Sequence, residues 1–164
     1  MKNTTISIQI EVYDKQSELT NNEQKLLTAA SEACQKAYAP YSEFKVGAAA
    51  LLDNGEIISG SNQENAAYPS GLCAERVTLF YANAQYPNTA VVSMAIIAMN
   101  KNGVIETPVA PCGACRQVML QTELRFKKAY DILLVGNSSI QKIKSSKDLL
   151  PLSFIGEGLL KGKK

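Results

Sequence analysis

Residues 66–80 read AAYPSGLCAERVTLF, a loop of small residues, proline and glycine that turns into an apolar run of helical spacing. Extended as LCAERVTLFYANAQ to residue 85, the run sets Ala74, Val77, Leu79, Phe80 and Ala84 along one broad side. This predicts a helix that lays that side against another layer. Cys73 stands at the predicted helix start, two positions before Glu75. A second stretch, APCGACRQVML at 110–120, repeats the arrangement. Its Pro111 suits a first helical turn, Cys112 and Cys115 lie three apart, and Val118, Met119 and Leu120 carry the apolar side onward.

The segments around these two helices supply the layer. VGAAALLDNGEIISGSN at 46–62 holds two short apolar runs joined by Asp53-Asn54-Gly55, and Asn-Gly suits the positive φ angles of a tight hairpin turn. A buried strand is expected from about Val91 to Met99, and DILLVG and IQKIKS read as further strands. NNEQKLLTAASEACQKAYAPYS opens on an Asn cap signal and ends at Pro40, with Leu26, Leu27, Ala30, Ala33, Cys34 and Ala37 at helical spacing. SSKDLLPLSF is expected as a short helix stopped near Pro151. Helices interleaved with strands predict an α/β fold, a three-layer α-β-α sandwich with a mixed sheet covered on both faces. The expected organisation is a polar, weakly β-patterned leader over 1–21, which either pairs at a sheet edge or stays mobile, one globular domain over 22–155 and a tail over 156–164.

Composition narrows the partners. At 164 residues, 46% hydrophobic and 20% charged, the chain has the proportions of one globular domain. Seventeen basic against fifteen acidic residues give a net charge of +2, scattered apart from the terminal KGKK. No nucleic-acid or anionic-membrane footprint is written in it, and a small, nearly neutral substrate fits better. MKNTTISIQIEVYDK lacks the continuous apolar segment of a secretory signal. The longest nearly apolar stretch, AVVSMAIIAM at 90–99, falls short of the roughly 20 residues of a membrane span. The expectation is a cytoplasmic protein, whose cysteines 34, 73, 112 and 115 stay reduced and available for metal or redox chemistry.

Cys112 and Cys115, one helical turn apart, can turn both sulfurs toward one ion. Alone the pair reads equally as a redox couple or as half of a structural zinc site. Cys73, also at a predicted helix start, is the natural third ligand. Unpaired N–H groups and the positive end of the helix dipole favour its thiolate. Three thiolates suit Zn2+ and leave a fourth position open for water, which the metal acidifies. The chain has no histidine to close the site, and Cys34 falls on the apolar side of its helix. Glu75 is then placed to accept and return protons. Arg76 and Arg116, each beside a key residue, are expected to offset the thiolate charge by hydrogen-bonding ligand sulfurs.

Cys73-Ala74-Glu75 with Pro111-Cys112-Gly113-Ala114-Cys115 resembles the signature of the zinc-dependent cytidine deaminases, in the three-cysteine form of the small homotetrameric enzymes. The resemblance extends through YAPYSEFKVGAA, GSNQENAAYPSGLCAER, PCGACRQ and LLPLSF and covers roughly residues 22–155. It implies Zn2+ as cofactor and hydrolysis of cytidine and 2′-deoxycytidine to uridine and 2′-deoxyuridine with loss of ammonia, in pyrimidine salvage. By the same resemblance, water activated by zinc adds to C4 of cytosine, and Glu75 passes its proton to N3 and then to the departing amine. Asn62 and Glu64 match positions that hydrogen-bond the ribose, Phe44 an aromatic that packs on the nucleoside, and the Ala74 N–H a donor to the pyrimidine O2. Ala66, Tyr68 and Phe154 match positions that reach a neighbouring subunit's pocket, so a homotetramer with shared sites is implied. Arg76 matches the arginine that partly neutralises the thiolates. Ala110 stands where the family often has Ser or Thr, which removes any hydroxyl there.

Taken singly, most of these residues have plainer readings. Glu75 suits any helix N-terminus. Asn62 and Glu64 suit a loop, while Phe44, Tyr68 and Phe154 suit a core or an interface and the two arginines a solvated surface. Two other functions fit the motifs: deamination of a modified cytosine nucleoside of the blasticidin S type, and a noncatalytic zinc module that binds a partner. Polynucleotide editing fits poorly, because the charge balance provides no groove for phosphates.

Overall fold

The central strand is Val91–Asn100, and its sequence explains why. Nine of its ten residues are apolar or small, and they feed two cores in alternation. Met94 and Ile96 enter one; Ala95, Ile97 and Met99 enter the other. The computed structural model describes residues 1–156. In chain order its elements are β1 (Glu11–Tyr13), α1 (Asn21–Gln35), β2 (Lys45–Leu52), β3 (Ile57–Ser61), α2 (Ala74–Gln85), β4 (Val91–Asn100), β5 (Gly103–Val104), α3 (Gly113–Phe126), β6 (Asp131–Val135), β7 (Ile140–Ile143) and α4 (Ser146–Leu149). The sheet runs β1-β7-β6-β4-β2-β3, with β5 paired to β4. β4 and β6 are parallel, joined through α3, and the other pairings are antiparallel.

The expected three-layer sandwich with a mixed sheet is what the chain forms. Leu26, Leu27, Ala30 and Cys34 of α1 pack on one face. Ala74, Leu79 and Ala82 of α2 and Met119 of α3 pack on the other. Cys34 is fully buried among apolar neighbours, as its place in the helical pattern implies.

Several local expectations need correction. The cap of α1 is Thr20 rather than an asparagine: its hydroxyl accepts from the Glu23 N–H while the Glu23 carboxylate accepts from the Thr20 N–H, a reciprocal capping box. α1 ends at Gln35, well before Pro40. At the β2–β3 connection only Gly55 has positive φ, at 89°, so Asn54 does not adopt the paired left-handed conformation. The turn is wider, with the Leu52 N–H donating to Glu56 O and the Gly55 N–H to Leu52 O. Pro111 precedes the cap residue Cys112 of α3 and lies outside the first helical turn. The leader's open choice resolves for residues 11–13 in favour of pairing, since they join the sheet as its edge strand against β7. The tail expected at 156–164 lies, from 157 on, outside the described residues.

Two features fix α1 on the sheet. Gly47 of β2 lets the helix approach closely, since a Cβ there would lie 2.1 Å from the Ala30 carbonyl oxygen and 2.4 Å from the Cys34 nitrogen. Lys142 of β7 forms ion pairs with Glu23 at 2.7 Å and with Asp131 at 2.9 Å. Burial opposes ionisation of Glu23, yet the Lys142 ammonium and the Thr20 donors outweigh it and hold the carboxyl below its ordinary value.

Because both clashing atoms belong to backbone, Gly47→Ala should cost at least about 3 kcal/mol, at the top of the usual range for overpacking, read as a lower denaturant midpoint with unchanged slope. A folded-state carboxyl with a depressed pKa contributes stability above its unfolded value of about 4.3 and loses it as pH falls through the folded value. Glu23→Gln should therefore lower the midpoint at neutral pH. It should also reduce the loss of stability as pH falls below about 4.3, relative to the wild type.

Candidate metal centre and its cavity

Two helix starts bring the sulfurs together. Cys73 is the N-cap residue of α2 and Cys112 that of α3, with Cys115 one turn inside α3. The helices lie against each other on one sheet face, tied by the Asn83 amide donating to the Thr122 hydroxyl at 3.4 Å. The Thr78 hydroxyl fixes α2 in turn, through contacts of 3.2 Å with the Ala48 carbonyl and 2.9 Å with the Ala74 carbonyl. Gly60 permits this approach, because a Cβ there would sit 2.8 Å from the Thr78 oxygen.

The Cys73 and Cys112 sulfurs are 3.8 Å apart, those of Cys112 and Cys115 are 3.4 Å apart, and all three lie within 4.8 Å of one another. Tetrahedral Zn2+ with bonds of about 2.3 Å sets its thiolates roughly 3.8 Å apart, so this spacing fits the ion. Among the described residues these three form the one cluster of metal-ligating side chains of that size. Cys34 takes no part: burial holds its thiol above the ordinary value.

The charge around the sulfurs is organised before any ion binds. A hydrogen bond from the Cys115 thiol, helped by the Arg76 guanidinium, draws the Cys73 thiol down to about 5. Cys115, the donor of that bond and buried as well, is raised. The Arg76 guanidinium faces the Cys73 sulfur, with Nη2 at 3.8 Å. Glu75 is 4% exposed, and burial above all, then the Cys73 charge, raises its carboxyl above the ordinary value. Its Oε2 is buried and finds no hydrogen-bond partner among the described residues. A carboxylate oxygen left without a hydrogen-bond partner is free to take up a proton or a donor.

A cavity of about 490 Å³ opens beside this centre, within the range of small-ligand pockets. It is lined by Asn62, Glu64, Tyr68, Cys73 and Arg76 from the expected set, together with Tyr41, Ser42, Gln63, Asn65, Gly71 and Leu72. Phe44, Ala66, Ala74, Glu75 and Phe154 are not part of that lining. Phe44 is half-buried at the entry to β2. Its carbonyl accepts from the Asn62 amide at 2.9 Å, while the Asn62 carbonyl oxygen accepts from the Val46 N–H at 2.8 Å. Glu64 accepts from the N–H groups of Tyr41 and Ser42 and from the Ser42 hydroxyl. Asn62 and Glu64 thus clamp the loop that carries Phe44. Ala74 is fully buried, and as the first residue of α2 its N–H has no acceptor within the helix. Ala66 is exposed, Tyr68 is 82% exposed and Phe154 is 70% exposed.

Arg116 does not reach the sulfurs. Its Nε donates to the Pro111 carbonyl at 2.8 Å and its Nη1 to the Leu149 carbonyl at 2.9 Å. Position 116 is rotated by about 100° around the helix axis from Cys115, which turns the guanidinium away from the metal face. The cavity contributions of Tyr41 and Ser42 were not read from the residues. Their only signal is that both lie in the segment YAPYSEF at 38–44, next to the Phe44 position.

The family model for the cytidine and deoxycytidylate deaminase zinc-binding region matches residues 20–130. The chain belongs to this family. It is 43% identical over 136 residues to a cytidine deaminase of Halalkalibacterium halodurans, covering 83% of this chain and 96% of that one. A crystal structure of cytidine deaminase from Burkholderia pseudomallei superposes with a TM-score of 0.69 at 38% identity, over 83% of this chain and all of that one. The cytidine deaminase of Mycobacterium tuberculosis superposes with a TM-score of 0.63 at 32% identity, over 80% of this chain and 96% of the other. The matched region contains all three cysteines and Glu75. As a family member the chain is a zinc-binding enzyme of hydrolytic deamination.

The purified protein should carry one equivalent of zinc per chain. Cys112→Ser and Cys115→Ser should each lose most of it, and Cys34→Ala should retain it, as measured by elemental analysis after gel filtration.

Proposed function

We propose that this chain hydrolyses cytidine and 2′-deoxycytidine to uridine and 2′-deoxyuridine, releasing ammonia, in pyrimidine salvage. The observation that carries the reading is the buried, unpartnered Glu75 carboxylate oxygen beside the three-sulfur cluster, in a chain similar to cytidine deaminases over most of its length. Cys73, Cys112 and Cys115 would hold Zn2+, which would supply Lewis acidity to lower the pKa of an attacking water. Glu75 would take one proton from that water and give it to N3 of the pyrimidine as the oxygen adds at C4, then carry the second proton from the C4 hydroxyl to the amine, so that the C4–N bond breaks, the C4 carbonyl forms and ammonia leaves. Burial raises the Glu75 carboxyl above its ordinary value, the direction that suits a group that must both accept and return protons. A noncatalytic zinc module has no use for such a group.

The remaining residues bind and orient. The Ala74 N–H meets the pyrimidine O2 at the start of α2, where unpaired donors point outward. Asn62 keeps one amide hydrogen free of its two backbone bonds, and with the Glu64 carboxylate it faces the cavity in position for ribose hydroxyls. Phe44 packs on the nucleoside from the loop these two residues clamp. Arg76 stays by the Cys73 sulfur and reduces the negative charge of three thiolates, which preserves the metal's Lewis acidity.

Four chains assemble into a homotetramer in which Ala66, Tyr68 and Phe154 complete a neighbour's pocket. Their exposure supports this, because Tyr68, Phe154, Leu152 and Tyr81 leave large apolar surfaces uncovered on a single chain. Reduced thiol ligands suit a cytoplasmic location, and no helix among the described residues is long and apolar enough to cross a membrane.

Absorbance of cytidine should fall to that of uridine on incubation with the zinc-loaded protein; an unchanged spectrum would remove the substrate assignment. Glu75→Gln should keep its zinc and lose at least about 10²-fold in kcat, the lower end of general acid–base contributions. Turnover near that of the wild type would contradict its role.

A further inference from the structure

We propose that Arg116 and Gln117 are positioning residues that hold the C-terminal segment, and with it Phe154, in a fixed place on the metal-bearing turn of α3. This rests on the reading that Phe154 closes a neighbouring pocket. Neither residue faces the sulfurs: helical rotation turns them about 100° and 200° from Cys115. Both donate instead to carbonyls of the segment that follows β7.

The anchors form a series. Glu123, buried on the same face of α3 as Arg116 because seven residues make nearly two full turns, accepts from the Ser146 N–H at 2.8 Å and from the hydroxyls of Ser145 and Ser146. That fixes the start of α4. Arg116 fixes its end through the 2.9 Å bond to the Leu149 carbonyl, and the same guanidinium holds the Pro111 carbonyl immediately before Cys112. Gln117 then takes the Phe154 carbonyl at 2.8 Å. Beyond Leu149 the segment has no helix or strand of its own up to residue 156, and Leu152 and Phe154 are largely exposed. Without these bonds, little in the chain itself would define where the Phe154 ring sits.

The two donors are not interchangeable with lysine. One guanidinium serves carbonyls on two different segments with two separate N–H groups, whereas an ammonium is a single point. The link therefore joins the turn that carries two metal ligands to the aromatic that covers a pocket. Placement of the aromatic on one subunit and organisation of the metal turn become parts of one unit.

The chain has no tryptophan, so Ile155→Trp introduces a single fluorescent reporter next to Phe154. In that background Gln117→Ala and Arg116→Lys should each raise the acrylamide quenching constant at least twofold, with zinc content unchanged. In the native background the same two substitutions should raise KM for cytidine about 5- to 10-fold while kcat changes less than twofold. Unchanged quenching and KM in Gln117→Ala, at a half-buried position whose variant is checked for a wild-type circular dichroism spectrum, would overturn the proposal even if Arg116→Lys is poorly soluble. A loss confined to kcat would also overturn it. Phe154→Ala separates the two levels: if it leaves KM unaltered, the shared pocket fails, whereas the quenching result judges the anchoring by itself.

Discussion

Everything in this protein depends on two helices beginning at the same point on one face of a sheet, each with a cysteine as its cap residue. A cap position leaves helical N–H groups unpaired and concentrates positive potential, an environment that suits sulfur ligands of a shared cation. Bringing two such starts together would leave thiolates in mutual repulsion without a cation to bridge them. The sulfur spacing matches what Zn2+ needs, and the Arg76 guanidinium at Cys73 limits the negative charge that remains.

The sheet serves that convergence. Thr78 and Gly60 bring α2 close enough to β2 and β3 to set the level of Cys73. The parallel β4–β6 pair requires a crossover, and α3 is that crossover, so the level of Cys112 and Cys115 follows from the sheet register. On the opposite face α1, seated through Gly47 and the Glu23–Lys142 pair, completes burial of the strands without touching the chemistry. The half of the molecule that is only scaffold is thereby separated from the half that holds the metal.

Much of this was legible in the residues. The apolar side of α1 and the continuous run of β4 mark the layers, and Cys73, Cys112 and Cys115 mark the sulfur cluster; on α2 the expected apolar side is only partly the buried one, since Phe80 and Ala84 are exposed while Thr78 and Ala82 join Ala74 and Leu79 inside. What escaped had weak or misleading local signals. β5 is two residues long, and β1 is polar and gains its conformation from β7. Thr20 and Glu23 have capping-box spacing, but the adjacent Asn21 and Asn22 carry a competing cap signal of the same strength. Asn54-Gly55 suggested a two-residue turn, but a longer loop formed in which only glycine takes positive φ. Arg116 was expected at the sulfurs from adjacency alone. Adjacency in a helix means a rotation of about 100°, and its side chain serves the C-terminal segment instead.

The cluster also explains why Cys34 behaves differently from its three counterparts. Cys34 is buried among apolar neighbours, and that burial holds its thiol above the ordinary value, whereas Cys73 and Cys112 cap the two helices, Cys115 lies one turn inside α3, and Cys73 lines the cavity. Zinc K-edge X-ray absorption on the purified protein tests the arrangement most directly. Three sulfurs at about 2.3 Å with one oxygen in the fourth position is the expected shell; four sulfurs, or fewer than three, would contradict an open site beside Glu75.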